Sequence, residues 1–596
     1  YGNPIANYVT GYKSNRQTTI TANFKLTQDL AMITPGLKFN GLFSFKNYSY
    51  SMVTRQAGYN HYYLSSYDPE SLDYEISRIG DEVSTALQND GSQGGNRKMY
   101  FQAILDYNRT FNETHDVNLM FLYNQEQYEI NGPTDFFSSL PQRKQGIAGR
   151  ASYSYDGRYF AEVNFGYNGS ENFAKGHRFG FFPSVALGYN ISNEKFWEPI
   201  RSAISNLKIR GSWGLVGNDN TGAGRFTYLE DIDLGGSPGY TTGVGGNRVT
   251  YKGPKWSRFF NPNLGWEIGE KINVGIDLQL YNSFNLTVEA FKETRRDIFL
   301  SRGSTIPDFL GLSGATVYAN LGKMKNIGMD LSIDYNKQVN KDLFLSFKGT
   351  FTYAHNTILE RDEPPFQEYP NLSSVGHSLG QYLLYIDNGL FPDEKTIHNN
   401  PDQKALGYTP QPGDIWYHNL PNYRGEYDNV IDGNDRRYVG NPQDPEIVYG
   451  FGPSIKFKKW DFSFFFQGVA KTSILMSGIH PFGEARIRGL FKYIADDHWT
   501  TENQNIDAKY PRLTLENNGN NTQNSTYWLR NGSFLKLKNA EVGYTFKGWR
   551  FYLSGQNLLT FSPFDYWDPE MGSGSGMKYP TQRIINFGIQ VTFNNK

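Results

Sequence analysis

Apolar and polar positions alternate along much of this chain. From Ile147 to Tyr155, the residues Ile147, Gly149, Ala151, Tyr153 and Tyr155 share one face, and Ala148, Arg150, Ser152 and Ser154 share the other. Phe284, Leu286, Val288 and Ala290 oppose Asn285, Thr287 and Glu289 in the same way, and Ile585, Phe587, Ile589, Val591 and Phe593 oppose Asn586, Gly588, Gln590 and Thr592. A period of two marks half-exposed strands. Small or charged residues on the second face suit a watery lumen better than a packed core. One strand changes phase: Leu535 and Leu537 face one way, Ala540, Val542 and Tyr544 the other, so a bulge is predicted near Asn539.

The pattern gives about 17 strands. Their connections sort into two kinds. Short ones lie at Asp156-Gly157, Asn282-Ser283, Lys458 to Trp460 and Lys547-Gly548, with Asn336 to Lys341 and Asn108 to Thr114 nearly as short. Long ones span 216–269, 299–326, 355–445, 472–532 and 559–582. The two kinds alternate, as turns and loops do on the two rims of a transmembrane β-barrel. The predicted fold is therefore all-β, an antiparallel outer-membrane barrel across 1–596. The alternation also sets direction. The last strand leaves a long loop and ends at Lys596, which puts the C-terminus in the periplasm. The first strand, near Thr18 to Thr27, runs the same way, which puts Tyr1 outside the cell. An intact barrel starts in the periplasm, so an odd number of strands is expected upstream. About five would complete a barrel of about 22. The expectation is a partial barrel whose remainder is cleaved, carried on another chain or outside this sequence.

Composition sharpens this. The 596 residues include 42 Tyr, 43 Phe and 62 Gly, as strands and tight turns require. Mean hydropathy is −0.58, the value of a water-soluble protein. A barrel strand, however, shows lipid only every second residue. No run reaches the ~20 apolar residues of a spanning helix. With 58 basic and 59 acidic residues, no global field draws the chain to nucleic acid. The absence of cysteine excludes disulfides and thiolate metal sites. The opening YGNPIANYVTGY carries no charged or apolar leader, so a mature or partial chain is expected.

Local words then point to a family. They run in order: Asn3-Pro4-Ile5-Ala6, Arg178-Phe179-Gly180-Phe181-Phe182-Pro183-Ser184, Leu207 to Gly214 followed by Gly217-Asn218, and Asn261-Pro262-Asn263-Leu264-Gly265-Trp266-Glu267. Asn320 to Asp330 and Pro412-Gly413-Asp414-Ile415 follow. Phe534 to Asn539, Gly543-Tyr544 and Ser554 to Thr560 close the series. With these words the chain resembles the SusC/RagA family of TonB-dependent outer-membrane transporters over nearly its whole length. Members carry a signal, a small accessory domain, a TonB-contacting segment and a barrel-filling plug, none of which is in this sequence. They end on a terminal aromatic residue, whereas here Phe593 is followed by Asn594, Asn595 and Lys596. The resemblance implies TonB-driven import of an oligosaccharide or a peptide, with a SusD-like surface lipoprotein seated on the long loops.

Reactive chemistry finds little support. The nine histidines, at 61, 115, 177, 355, 377, 398, 418, 480 and 498, form no HExxH spacing. The Gly-rich stretches 221–224 and 243–246 lack the strand-to-helix setting of a phosphate cradle. Gly572 to Gly576 carries the bare Gly-x-Ser-x-Gly pattern without an ordered Asp and His after it, so it reads as a loop and no enzyme is expected. Asp428, Asp432 and Asp435 around Gly433 are candidates for Ca²⁺, against an Asx-turn reading; the family's loops read like calcium loops at this point, but the spacing is not that of an EF-hand. Trp416, Tyr417, Trp499, Trp528, Tyr566 and Trp567 lie in long loops and are candidates for substrate contact, against loop packing or an aromatic girdle. Arg150 and Lys348 are expected to face the lumen, lining it and touching the plug. A structural barrel in an outer-membrane assembly machine is the alternative function.

Overall fold

The computed structural model describes residues 4–302, 309, 314–478 and 491–593. Tyr1, Asn3, His480 and Asn594 to Lys596 lie outside the described residues. One 17-stranded antiparallel sheet dominates the chain. Its strands are β1 (Gly11–Asp29), β2 (Leu37–Gln56), β3 (Gln88–Phe111), β4 (His115–Asn131), β5 (Gln142–Tyr155) and β6 (Tyr159–Ser170). Next come β7 (Phe179–Asn190), β8 (Ile204–Asn218), β9 (Glu267–Leu280), β10 (Phe284–Ser301), β11 (Tyr318–Asn340) and β12 (Leu343–Glu360). The last are β13 (Ile447–Phe457), β14 (Trp460–Ala470), β15 (Phe534–Phe546), β16 (Trp549–Phe561) and β17 (Ile584–Val591). Each strand pairs with the next in sequence, the meander of an up-and-down barrel. Among the described residues β1 pairs only with β2, and β17 only with β16; nearly every residue of both is exposed.

The two faces differ as the alternation predicts. One carries exposed Phe24, Phe43, Phe101, Phe121, Val163 and Phe181, continuing through Ile209, Ile272 and Val274. The other is ionic. Arg210 on β8 contacts Asp277 on β9 at 3.1 Å and pairs with Glu289 on β10. Arg550 on β16 pairs with Asp461 on β14 and Glu541 on β15. Apolar outside and polar inside is the arrangement of a barrel in lipid around a wet lumen. Arg150 and Lys348 lie on the ionic face. Lys348 is level with Asp334 and 3.6 Å from it; Arg150 sits between Met120 and Asn164 of its neighbours.

One rim is built from tight turns. Asp156-Gly157 and Lys547-Gly548 hold both central residues at positive φ, the primed-turn geometry whose twist matches paired strands. Glycine takes that conformation without a Cβ clash, which is why it fills the second place in both. Connection 191–203 is the longer exception, built on two short 3-10 turns. The predicted bulge is present: Leu537 and Asn539 are successive partners of β14, so Lys538 is the extra residue. The opposite rim carries the long connections, together with the shorter 132–141 and 171–178, and it includes a long one that the sequence reading missed. Interval 57–87 folds into a projecting hairpin of β18 (His61–Tyr67) and β19 (Tyr74–Ile79). Its tyrosine-rich stretch resembles barrel strand more than loop.

Candidate functional site: a folded loop layer on one rim

The connections 361–446, 471–533 and 562–583 build a layer with its own core. Leu384, Leu390, Ile415, Ile431, Ile474, Met476, Ile494, Tyr510 and Phe564 are buried together in it. Short hairpins stiffen the layer: Tyr382–Tyr385 pairs with Arg436–Val439, and Ser473–Leu475 pairs with Leu529–Asn531. Burying apolar loop side chains at ~25 cal/mol per Å² offsets the entropy of ordering such long segments.

The layer is pinned at Pro412-Gly413-Asp414-Ile415. Gly413 sits at a φ of 86°, and a Cβ there would lie 2.3 Å from the Trp499 ring, so only glycine fits. Asp414 is fully buried. Its Oδ1 accepts from Asn521 Nδ2 at 2.9 Å and from Asn518 Nδ2 at 3.2 Å; its Oδ2 accepts from the Gln411 amide at 2.9 Å and from Arg512 at 3.2 Å. Burial pushes this carboxyl upward in pKa, with Arg512 and the hydrogen bonds opposing. Beside it, Gln403 donates to Asn520 Oδ1 at 2.7 Å and accepts from the Tyr417 amide at 2.8 Å. The network joins segments about a hundred residues apart, and sequence reading missed it because nothing local marks it. The one available signal was the Gly413-Asp414 word itself.

A second clasp fixes loop 562–583 to the wall. Lys536 on β15 is buried, with Nζ 2.7 Å from Asp568 Oδ2 and 2.6 Å from Glu570 Oε2. Lys538, the bulged residue, also pairs with Glu570. Burial alone would raise the carboxyls of Asp568 and Glu570, but Lys536 together with the Glu570 amide and Thr581 at Asp568, and with Lys538 at Glu570, outweighs it, and both lie below their ordinary range. Elsewhere on this rim the family words meet. Trp266 Nε1 donates to the Arg178 carbonyl at 3.0 Å, its ring packs edge-on against Phe182, and Asn320 exchanges two hydrogen bonds with Gly265.

The candidate aromatic residues divide. Tyr417, Trp499 and Trp528 are buried in the layer's core, where their rings pack loop against loop. Trp528 donates to the Asn521 carbonyl and Tyr417 to that of Asn520. Trp416 is half-buried and stacks on Phe391 at 5.5 Å; Tyr566 and Trp567 are half-buried beside Phe564. Only these three keep an accessible ring edge.

The acidic candidates cap turns. Asp428 accepts from the Val430 amide at 3.1 Å and Asp432 from the Asn434 amide at 2.8 Å. Both Asp435 oxygens are taken by backbone, from Leu420 at 2.6 Å and Asp432 at 2.7 Å. Among the described residues no three His, Cys, Asp or Glu side chains are grouped to hold a metal. These hydrogen bonds are those of Asx turns. Burial pushes Asp435 up to about 6, with repulsion from Asp428 and Asp432 adding to it. A raised carboxyl means the folded loop holds the proton more tightly than the unfolded one. Its contribution to stability is full below the ordinary value of 3.8 and is lost as pH rises through about 6. Segment 419–440 is thus expected to exchange amide hydrogens more slowly at pH 5 than at pH 7, after correction for intrinsic rates. Asp435→Asn should flatten that difference; an unchanged pH dependence in the variant would assign it elsewhere.

Residues 1–469 match the family model described as TonB dependent receptor-like, beta-barrel, and the chain belongs to that family of outer-membrane β-barrels. The TonB-dependent receptor SusC of Bacteroides thetaiotaomicron is 25% identical over 468 residues, covering 75% of this chain and 43% of that relative. TonB-dependent receptor P39 of Formosa agariphila is 24% identical over 672 residues, covering 99% of this chain and 60% of the relative. A solved structure of the RagAB peptide transporter superposes with a TM-score of 0.72 at 18% identity, covering 98% of this chain and 62% of that one. These matches bear out the SusC/RagA resemblance read from the sequence. This chain spans about half the length of its curated relatives.

Proposed function

We propose that this chain is the larger part of the barrel of a TonB-dependent importer that takes up an oligomeric nutrient, an oligosaccharide or a peptide. In this reading the long-loop rim faces outward and the tight turns face the periplasm. The observation that carries it is the folded loop layer on one rim of a polar-lined barrel. Importing a sizeable solute calls for a shaped outer surface, and flexible loops alone would not supply one. Trp416, Tyr566 and Trp567 are the aromatic contacts this surface offers a solute. Arg150 and Lys348 line the path and meet a plug. The exposed edges of β1 and β17 pair with further barrel strands, since open edges of this length do not persist in a membrane. TonB supplies the energy, and a SusD-like lipoprotein sits on the loop layer.

Copurification tests the proposal. The protein isolated in mild detergent from its own outer membrane should bring down a surface lipoprotein and an oligomeric solute. Recovery of barrel-assembly factors without solute would favour the scaffold role instead.

A further inference from the structure

We propose that a groove in the outward face of the wall, just below the long-loop rim, seats one glycolipid of the outer leaflet. One register row crosses six strands there: Phe43, Phe101, Gln125, Gln145, Gly169 and Phe179 are successive cross-strand neighbours from β2 to β7. All share the face that carries the exposed apolar side chains. The groove has a volume of about 480 Å³, and all six residues of the row line it. Phe101 walls it on one side and Phe179 on the other. The Phe179 ring lies across Gly169, where a Cβ would meet it at 2.5 Å, so a larger residue at 169 would displace that wall.

Its height on the wall selects the occupant. Along β4 the outward residues run Leu119, Phe121, Tyr123, Gln125, Gln127 and Glu129, turning from apolar to polar at this row, and on β2 and β3 the turn comes one row nearer the rim, after Phe45 and Met99. That is where acyl chains end and head groups begin. The chemistry of the row then points to the head group. Gln125 and Gln145 are exposed amides, which donate and accept as sugar hydroxyls do. The nearby cations already have partners: Arg97 pairs with Glu129, Arg143 lies 3.9 Å from Glu171, Lys144 pairs with Asp219, and Arg178 donates from Nε to the Phe173 carbonyl at 3.2 Å. A site for a bare phosphate diester would leave its cations unmatched; this one suits a hydroxyl-rich head over chains lying against Phe101, Phe179 and the rings below.

The proposal rests on the long-loop rim being the outer side. The protein and a Gln125→Ala, Gln145→Ala double variant would be isolated from the same outer membrane, washed in detergent and analysed for bound lipid by native mass spectrometry. The expected result is about one retained glycolipid per barrel, and about tenfold less in the variant, the loss of one or two hydrogen bonds. Equal retention in both proteins, no retained lipid, or phospholipid in its place would each overturn the assignment. Both changed residues are exposed, so folding is checked simply by heat-dependent gel mobility. A Tyr427→Cys protein labelled on intact cells with a membrane-impermeant maleimide reports the orientation separately. Positive labelling with no glycolipid defeats the groove and leaves the importer reading standing.

Discussion

Asp414→Ala is expected to loosen the loop layer while leaving the barrel intact. The substitution removes a buried carboxylate that accepts four hydrogen bonds; it takes the acceptor from the Asn518 and Asn521 side-chain amides and leaves Arg512 with the Tyr408 hydroxyl. Breaking a buried ionic network by deleting one member costs about 3–5 kcal/mol. That is comparable with the whole stability of a small folded unit. The loss should therefore appear as local unfolding. Limited proteolysis should cut within 400–415 and 505–525 at rates raised by about a hundredfold, while the sheet stays protected. Asp414→Asn keeps one acceptor oxygen and should fall between. Identical cleavage of variant and parent would show that the layer does not depend on this knot.

Lys536→Met is the second large effect expected. It leaves Asp568 facing no cation and Glu570 with Lys538 alone. The depressed pKa of both carboxyls is the sign of what Lys536 contributes. A cost of about 3 kcal/mol follows for losing one partner of a buried pair, discounted because the two carboxylates are partly exposed. The stabilisation Lys536 confers on depressed carboxyls is present at neutral pH and fades as pH falls through their folded values. Amide exchange across 562–583 should accordingly speed up at pH 7 in the variant, with the difference shrinking only below the ordinary carboxylate values of 3.8 and 4.5. Exchange in β15 itself should hardly change, because its ladder to β14 and β16 remains. A variant with unaltered exchange in the loop would remove the clasp from the account.

How much of this was legible in the sequence follows from where the constraints lie. Strands declared themselves because the environment of a barrel wall is local: Ile147, Gly149 and Ala151 share the apolar face and Arg150 lies on the other whatever the rest of the chain does. Tight turns were legible for the same reason, since Asp156-Gly157 states its backbone conformation in two residues. Even the bulge at Lys538 showed as a shift of phase. The loop layer did not show. Tyr417, Trp499 and Trp528 read as surface aromatics among polar neighbours, and their burial depends on partners that no periodicity reports. Lys536 stood inside the family word Phe534 to Asn539 with nothing to mark it as buried. Its partners Asp568 and Glu570 stand more than thirty positions away, in a loop without pattern. The acidic loop at Asp428 to Asp435 offered oxygen ligands and turn caps in the same letters, and the backbone donors that these carboxylates cap became visible only in the fold. Family words such as Pro412 to Ile415 were visible as words before their packing role was.

Energised uptake tests the central claim most directly. Cells carrying the intact transporter would be given the labelled oligomeric solute that copurifies with it, and accumulation would be followed with TonB present and absent. The account predicts accumulation that requires TonB and falls when Asp414→Ala loosens the loop layer. Surface binding with no accumulation, or accumulation indifferent to TonB, would contradict it.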